Sequence, residues 1–203
     1  LQADHMDGET AREFLNDIGD EADRLTRITE KLLTLTRLDT APAAEDVPVD
    51  VGAVVERVEH MLSPLARAVE VSLELKLQPG CVVLATEDDL YQIAFNLMEN
   101  AVKYNLPGGR VLVTLTADGG RVVLRVEDTG VGIPEADLPK IFDRFYRVDK
   151  ARSRAAGGTG LGLSIVRDTV LQHGGAVTAR RREPEGTCFE VSFAQWNGEE
   201  VGR

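Results

Sequence analysis

Gly157-Gly158-Thr159-Gly160-Leu161-Gly162-Leu163-Ser164 is the stretch on which the reading of this chain turns. Its glycines at 157, 158, 160 and 162 can take positive φ and let backbone N–H groups approach a ligand with no Cβ in the way. Residues 161–172 that follow have helical spacing, and a helix start offers free N–H groups at the positive end of the dipole. A loop that becomes a helix in this way is a candidate phosphate cradle. Taken alone, the same residues describe a flexible loop ahead of a packed helix. Two further stretches shift the balance. Asp128-Thr129-Gly130-Val131-Gly132-Ile133 follows a run with strand character, and residues 96–105, N-L-M-E-N-A-V-K-Y-N, lie on a helix by their apolar spacing. Packing alone does not account for three such polar boxes in one short domain.

The 203 residues allow one domain with a real core plus a smaller appended element. With 34 Asp and Glu against 23 Lys and Arg, the net charge of −11 argues against a nucleic-acid surface and would repel a bare polyphosphate. A nucleotide would therefore need Mg²⁺ and local positive groups. Cys81 and Cys188 stand far apart without CxxC spacing, which argues against a zinc site or a disulfide framework and suits core thiols in a reducing compartment. No apolar run approaches the ~20 residues of a membrane span, and the acidic start does not read as a leader peptide.

Thr10-Ala11-Arg12-Glu13 has capping-box spacing and would start a helix running to about residue 38. Along it Phe14, Ile18, Leu25, Ile28, Leu32 and Leu35 form one narrow apolar seam that needs a partner helix. Residues 41–47 have a linker's composition. Beyond it the pattern predicts a helix over 51–68, with Pro64 a threat near its end, strands over 70–77 and 81–85, and a helix over 87–104. A hairpin follows over 110–117 and 121–127, turned by Asp118-Gly119-Gly120. Residues 130–157 show no long regular element, the mark of a functional lid. The helix over 161–172 and strands over 176–182 and 187–193 complete an α+β fold, a two-layer sandwich whose mixed sheet is covered on one face, preceded by the long N-terminal helix.

Asn96 and Asn100, four apart on a helix, project their amides from one face. Such a pair of neutral oxygens suits an octahedral Mg²⁺ that already holds phosphate oxygens and waters. Lys103 could reach a phosphate, and Tyr104 offers a ring. Asp128, at a strand end before a Gly-x-Gly turn, can accept a hydrogen bond from an amino group on a planar ligand. Each has a plainer reading in isolation: a solvated helix face for the asparagines, an Asx turn for Asp128. Together they suggest a purine at Asp128 whose phosphates run past Asn100 towards the glycine cradle.

In this order the boxes N-L-M-E-N-A-V-K-Y (96–104), D-T-G-V-G-I (128–133), F-D-R-F-Y-R-V-D (142–149) and G-G-T-G-L-G-L-S-I-V (157–166) resemble the catalytic, ATP-binding domain of sensor histidine kinases, in the superfamily of gyrase, Hsp90, histidine kinases and MutL. The fold that the resemblance implies is the Bergerat-type ATP-binding sandwich. The run over 24–39, R-L-T-R-I-T-E-K-L-L-T-L-T-R-L-D, is similar to the second helix of that family's dimerisation and phosphoacceptor domain. The implied organisation is 1–40 for that helix without the acceptor helix, 41–47 for a linker, 48–195 for the ATP-binding domain and 196–203 for a tail.

The resemblance implies that Asp128 binds the adenine amino group, with Gly130, Gly132 and Ile133 forming the wall at the base. Asn100 would coordinate Mg²⁺ with Asn96 nearby, Lys103 would meet phosphate and Tyr104 would pack on adenine. Phe142 and Phe145 would anchor the lid, for which core packing is the plainer reading. Arg144 would approach the γ-phosphate, and Gly158, Thr159, Gly160, Leu161 and Gly162 would form the phosphate-side hinge. Asn96 and Arg144 would be catalytic, since ATPases of the superfamily usually carry Glu at the Asn96 position to activate water. The implied partners are a second copy through the N-terminal helix and a response regulator receiver domain, with no nucleic acid and no membrane contact. The implied place is the cytoplasmic side of a membrane-anchored parent. His5, His60 and His173 lack the surroundings of the family's phosphoacceptor histidine, so the chain is expected to bind Mg-ATP without labelling itself. Asn105 also stands where Ser or Thr often follows Lys-Tyr. Two other readings use the same residues: a superfamily ATPase or anti-sigma-type serine kinase, and a non-catalytic nucleotide-binding module.

Overall fold

The computed structural model describes residues 45–149 and 159–198, with residues 18, 19 and 29 as helical positions. The capping box at 10–13, the apolar seam apart from Ile18, His5, residues 41–44 of the linker, Gly157, Gly158 and the end of the tail beyond residue 198 lie outside the described residues.

Asp50 opens helix α1 (Val51–Ala68) by accepting the Gly52 N–H on its carboxylate at 2.8 Å. Val51, Val54, Val55, Val58, Leu62 and Ala66 form its buried stripe, and the exposed Pro64 lies within the helix without ending it. Thr86 caps helix α2 (Glu87–Lys103) through the Asp89 N–H at 3.1 Å, and Glu87, Asp88 and Asp89 face the positive end of the helix dipole. Its buried side, Leu90, Ile93, Ala94, Leu97, Met98, Ala101 and Val102, also includes Asn96. Helix α3 (Gly162–Gln172) follows the glycine-rich box.

The two-layer α+β sandwich has a five-stranded mixed sheet. Its strands are β2 (Ser72–Leu77), β4 (Arg110–Asp118), β5 (Arg121–Asp128), β6 (Ala176–Arg181) and β7 (Thr187–Ala194), in the order β2-β4-β5-β7-β6. Strand β2 runs parallel to β4, and every other pairing is antiparallel. Along β5 the residues Val122, Leu124, Val126 and Asp128 alternate as the buried positions, so the two-residue period of a strand carries Asp128 to the apolar side.

One element was not legible. Val47, assigned to the linker, begins strand β1 (Val47–Asp50), which pairs antiparallel with β3 (Val82–Ala85) in a separate two-stranded sheet. Four residues with a proline carry too little pattern to announce a strand, and the partner lies far along the chain. Between residues 130 and 149 the chain is a series of turns with one regular element, a 3₁₀ segment at Leu138–Lys140.

Candidate functional site

Asp128 is the polar group on which the site is built. It is only 5% exposed, and its Oδ1 accepts the Gly130 N–H at 2.8 Å and the Thr187 N–H at 3.2 Å. Burial pushes its carboxyl above the ordinary carboxylate range, while those two N–H groups, the Arg182 guanidinium and the Thr187 hydroxyl oppose the shift. The carboxylate is held in one orientation by backbone. Two glycines make this possible by leaving no room for side chains. A Cβ on Gly130 would overlap the Tyr104 carbonyl, and a Cβ on Gly186, whose φ is +111°, would overlap the carbonyl of Asp128 itself. Gly132 takes φ +68° with its α-carbon side close to the Gly186 carbonyl.

Helix α2 brings its polar residues to the same end of the sheet, where the Val131 N–H bonds the Tyr104 carbonyl at 3.2 Å. Asn96 is 4% exposed and donates Nδ2 to the Gln92 carbonyl at 2.8 Å, which fixes its amide and leaves Oδ1 as an acceptor. Asn100 is half-buried one turn on. Lys103 pairs with Glu99 at 2.8 Å, and Tyr104 caps the helix with its side chain half-buried. Among the described residues no three His, Cys, Asp or Glu side chains gather into a metal cage. The amides of Asn96 and Asn100, one helical turn apart, carry neutral oxygens of the type that suits an ion bringing most of its oxygen ligands with it, as Mg²⁺ does on a polyphosphate.

The two phenylalanines expected to anchor a lid divide. Phe142 packs edge-on against Phe189 with ring centroids 6.4 Å apart, which is core packing. Phe145 is 60% exposed with φ +65°, and its N–H bonds the Gly160 carbonyl at 2.8 Å, tying this segment to the glycine-rich box. Gly160 itself sits at φ +74°, where a Cβ would come within 2.9 Å of the Phe145 backbone. Arg144 reaches Asp168 on α3 at 3.0 Å. Thr159 accepts the Leu161 N–H at 3.3 Å on its hydroxyl, Leu161 is fully buried, and Gly162 is the first residue of α3. The helix start has no side-chain cap, so its N–H groups remain donors for an anion. Ile133 packs against the core beside this end of the sheet.

Sequence reasoning missed four residues here. Thr187, at the start of a strand distant in sequence, holds the Asp128 carboxylate, Gly186 just before it packs against the Asp128 carbonyl, and Arg182 adds positive charge to the site. Arg147 has Nε and Nη2 buried without a hydrogen-bond partner among the described residues. The Pro184-Glu185-Gly186 turn was the available signal for the first pair; an arginine following an aromatic pair in the lid was the signal for the last. Of the described histidines, His60 is exposed, and His173 is buried between Asp46 and Asp89. Cys81 and Cys188 are free and buried, as core thiols should be.

Residues 85–196 match the family model described as histidine kinase-, DNA gyrase B-, and HSP90-like ATPase. The chain is 34% identical over 197 residues to the sensor-like histidine kinase SenX3 of Mycolicibacterium smegmatis, covering 97% of this chain and 51% of that protein. It is 32% identical to full-length ShkA, solved in complex with AMPPNP, with a TM-score of 0.76 over 91% of this chain and 39% of that one. It is also 32% identical to the mycobacterial sensor histidine kinase MprB, with a TM-score of 0.63 over 74% of this chain and 97% of that one. The chain thus spans about half the length, or less, of the curated relatives it matches. Among the described residues no helix is long and apolar enough to cross a membrane.

Proposed function

The chain belongs to the histidine kinase-, DNA gyrase B-, and HSP90-like ATPase family, and from that premise we propose that residues 48–195 bind Mg-ATP and serve as the catalytic part of a sensor protein-histidine kinase. The observation that carries the proposal is the buried Asp128 carboxylate, whose Oδ1 is fixed by two backbone N–H groups; the carboxylate held in this way is the acceptor for the exocyclic amino group of adenine. Gly130, Gly132 and Ile133 line the base, and Tyr104 closes it from the helix side. Asn96 and Asn100 would hold Mg²⁺, which would supply charge neutralisation at the phosphates. Lys103, the N-terminus of α3 after Thr159, Gly160 and Leu161, and the lid arginines Arg144 and Arg147 supply the positive surroundings that an acidic chain otherwise lacks. For Arg147 the support is its buried, unpartnered guanidinium nitrogens.

The chemistry these residues favour is positioning and charge neutralisation, the main needs of phosphoryl transfer. A histidine nitrogen attacks the γ-phosphorus in line and ADP leaves. Asn96, an amide, does not take a proton from water, so the γ-phosphate is kept for the histidine. The phosphoryl group then passes to a response regulator receiver domain. The apolar seam at residues 14–35 supports pairing of two copies through the N-terminal segment. The place that goes with this reading is the cytoplasmic side of a membrane-anchored parent, as the resemblance to sensor histidine kinases implies.

Calorimetric titration with Mg-ATP tests the reading. The wild-type chain binds, and Asp128→Asn, which loses a charge-assisted hydrogen bond of about 1.5–3 kcal/mol, binds roughly tenfold or more weakly while staying folded. Equal affinities for the two proteins would overturn it.

A further inference from the structure

Asn105 satisfies its whole side-chain amide at the seam between helix α2 and the strand that ends in Asp128. Its Nδ2 donates to the Ala101 carbonyl at 3.1 Å, one turn back along α2, and to the Arg110 carbonyl at 3.1 Å, at the start of β4. Its Oδ1 accepts the Leu106 N–H at 3.0 Å and the Thr129 hydroxyl at 3.2 Å. Two carbonyls on one side and two donors on the other leave a single orientation for the amide. Thr129 in turn accepts the Arg110 N–H on its hydroxyl at 2.8 Å and gives its own N–H to the Arg110 carbonyl at 3.1 Å. Gly109 is glycine because Asn105 Oδ1 occupies the place its Cβ would take.

Thr129 lies between Asp128 and Gly130, the residue whose N–H fixes Asp128 Oδ1 and whose α-carbon is pressed against the Tyr104 carbonyl. The network therefore clamps the end of the asparagine-bearing helix to the Asp128–Gly130 turn from both sides of that turn. We propose that Asn105 is a positioning residue for base recognition: acting through Thr129, it sets the orientation of the Asp128 carboxylate and hence the preference for a purine bearing a 6-amino group. The inference rests on the assignment of adenine to Asp128. A hydroxyl side chain at 105 offers one donor where the amide offers two, so Ser or Thr cannot hold Ala101, Arg110 and Thr129 at once.

The test is discrimination rather than affinity alone. The full chain, Asn105→Ala and Thr129→Val are titrated with Mg-ATP and with Mg-ITP, which carries an oxo group in place of the 6-amino group, and folding of each is checked by circular dichroism. Thr129→Val is nearly isosteric and serves if Asn105→Ala does not fold. The expected result is a preference for ATP in the wild type that falls by about fivefold or more in both variants, through weaker ATP binding with ITP binding little changed. A merely structural role would weaken both nucleotides by the same factor and keep the ratio, which would overturn the proposal. If the wild type shows no preference for ATP over ITP and Asp128→Asn changes nothing, the adenine assignment itself fails. If the wild type discriminates and Asp128→Asn abolishes it, yet both variants retain the full ratio, only the role of Asn105 fails.

Discussion

Replacing His173 with Gln should reduce stability by an amount that depends on pH in a defined direction. The His173 side chain is 2% exposed at the C-terminal end of α3, with Nε2 2.8 Å from Asp89 Oδ2 in the first turn of α2 and Nδ1 3.2 Å from Asp46, just ahead of β1. Both ring nitrogens face carboxylates, so the doubly protonated ring satisfies both at once. The hydrogen bond to Asp89 raises the His173 pKa above 6.5 against the opposing effect of burial, and Asp46 adds to the rise. The same hydrogen bond, first among several causes, lowers the Asp89 pKa below 3.8. A charge-assisted hydrogen bond contributes about 1.5–3 kcal/mol, and the exposed Asp46 partner adds at most about 1 kcal/mol. Gln keeps one neutral hydrogen bond, so the net loss at pH 6 is about 2 kcal/mol. A histidine with a raised pKa contributes stability fully below its unfolded value, and this is lost as pH rises through the folded value. An aspartate with a lowered pKa contributes above its unfolded value, and this is lost as pH falls through the folded one. The gap between wild type and His173→Gln is thus widest between about pH 4 and 6.5 and narrows on the alkaline side. Urea unfolding of both proteins at pH 6 and pH 9 measures it, and the difference cancels the background of the acidic surface. A gap of equal size at the two pH values would refute the charged clasp.

Asn96→Glu places a carboxylate where the γ-phosphate and water would meet, and steady-state phosphate release should rise above wild type; a release rate no higher counts against the role given to Asn96. Gly186→Ala forces a Cβ onto the Asp128 carbonyl at a φ that disfavours side chains, so the chain should lose more than about 2 kcal/mol of unfolding free energy and bind nucleotide more weakly. Unchanged thermal unfolding and affinity in that variant would show that the turn relaxes at little cost.

Periodicity was legible where elements are long. The apolar stripes of α1 and α2, the β4–β5 hairpin and the start of α3 after the glycine box fall within a residue or two of their sequence-based bounds, because the 3.6- and 2-residue periods repeat often enough to fix a face. In the structure the same alternation runs one residue further and puts Asp128 in phase with Val122, Leu124 and Val126, which the sequence-based strand, ending at residue 127, did not include. Strand β1 was not legible, since four residues hold two periods at most and what stabilises them is pairing with β3.

By itself the sequence determined which side chains have the chemistry for a nucleotide: one carboxylate before a Gly-x-Gly turn, two amides one helical turn apart, and a glycine-rich helix start. These are local properties, fixed by residue type and short spacing. Only the tertiary structure decided what holds them. Thr187 and Gly186 reach Asp128 across the β5–β7 pairing, Asn105 joins α2 to β4 and the Asp128–Gly130 turn, and His173 clasps residues more than eighty positions away. Such contacts join residues that no periodicity relates, because a hydrogen bond between distant segments forms only when the core beneath both has brought them within about 3 Å.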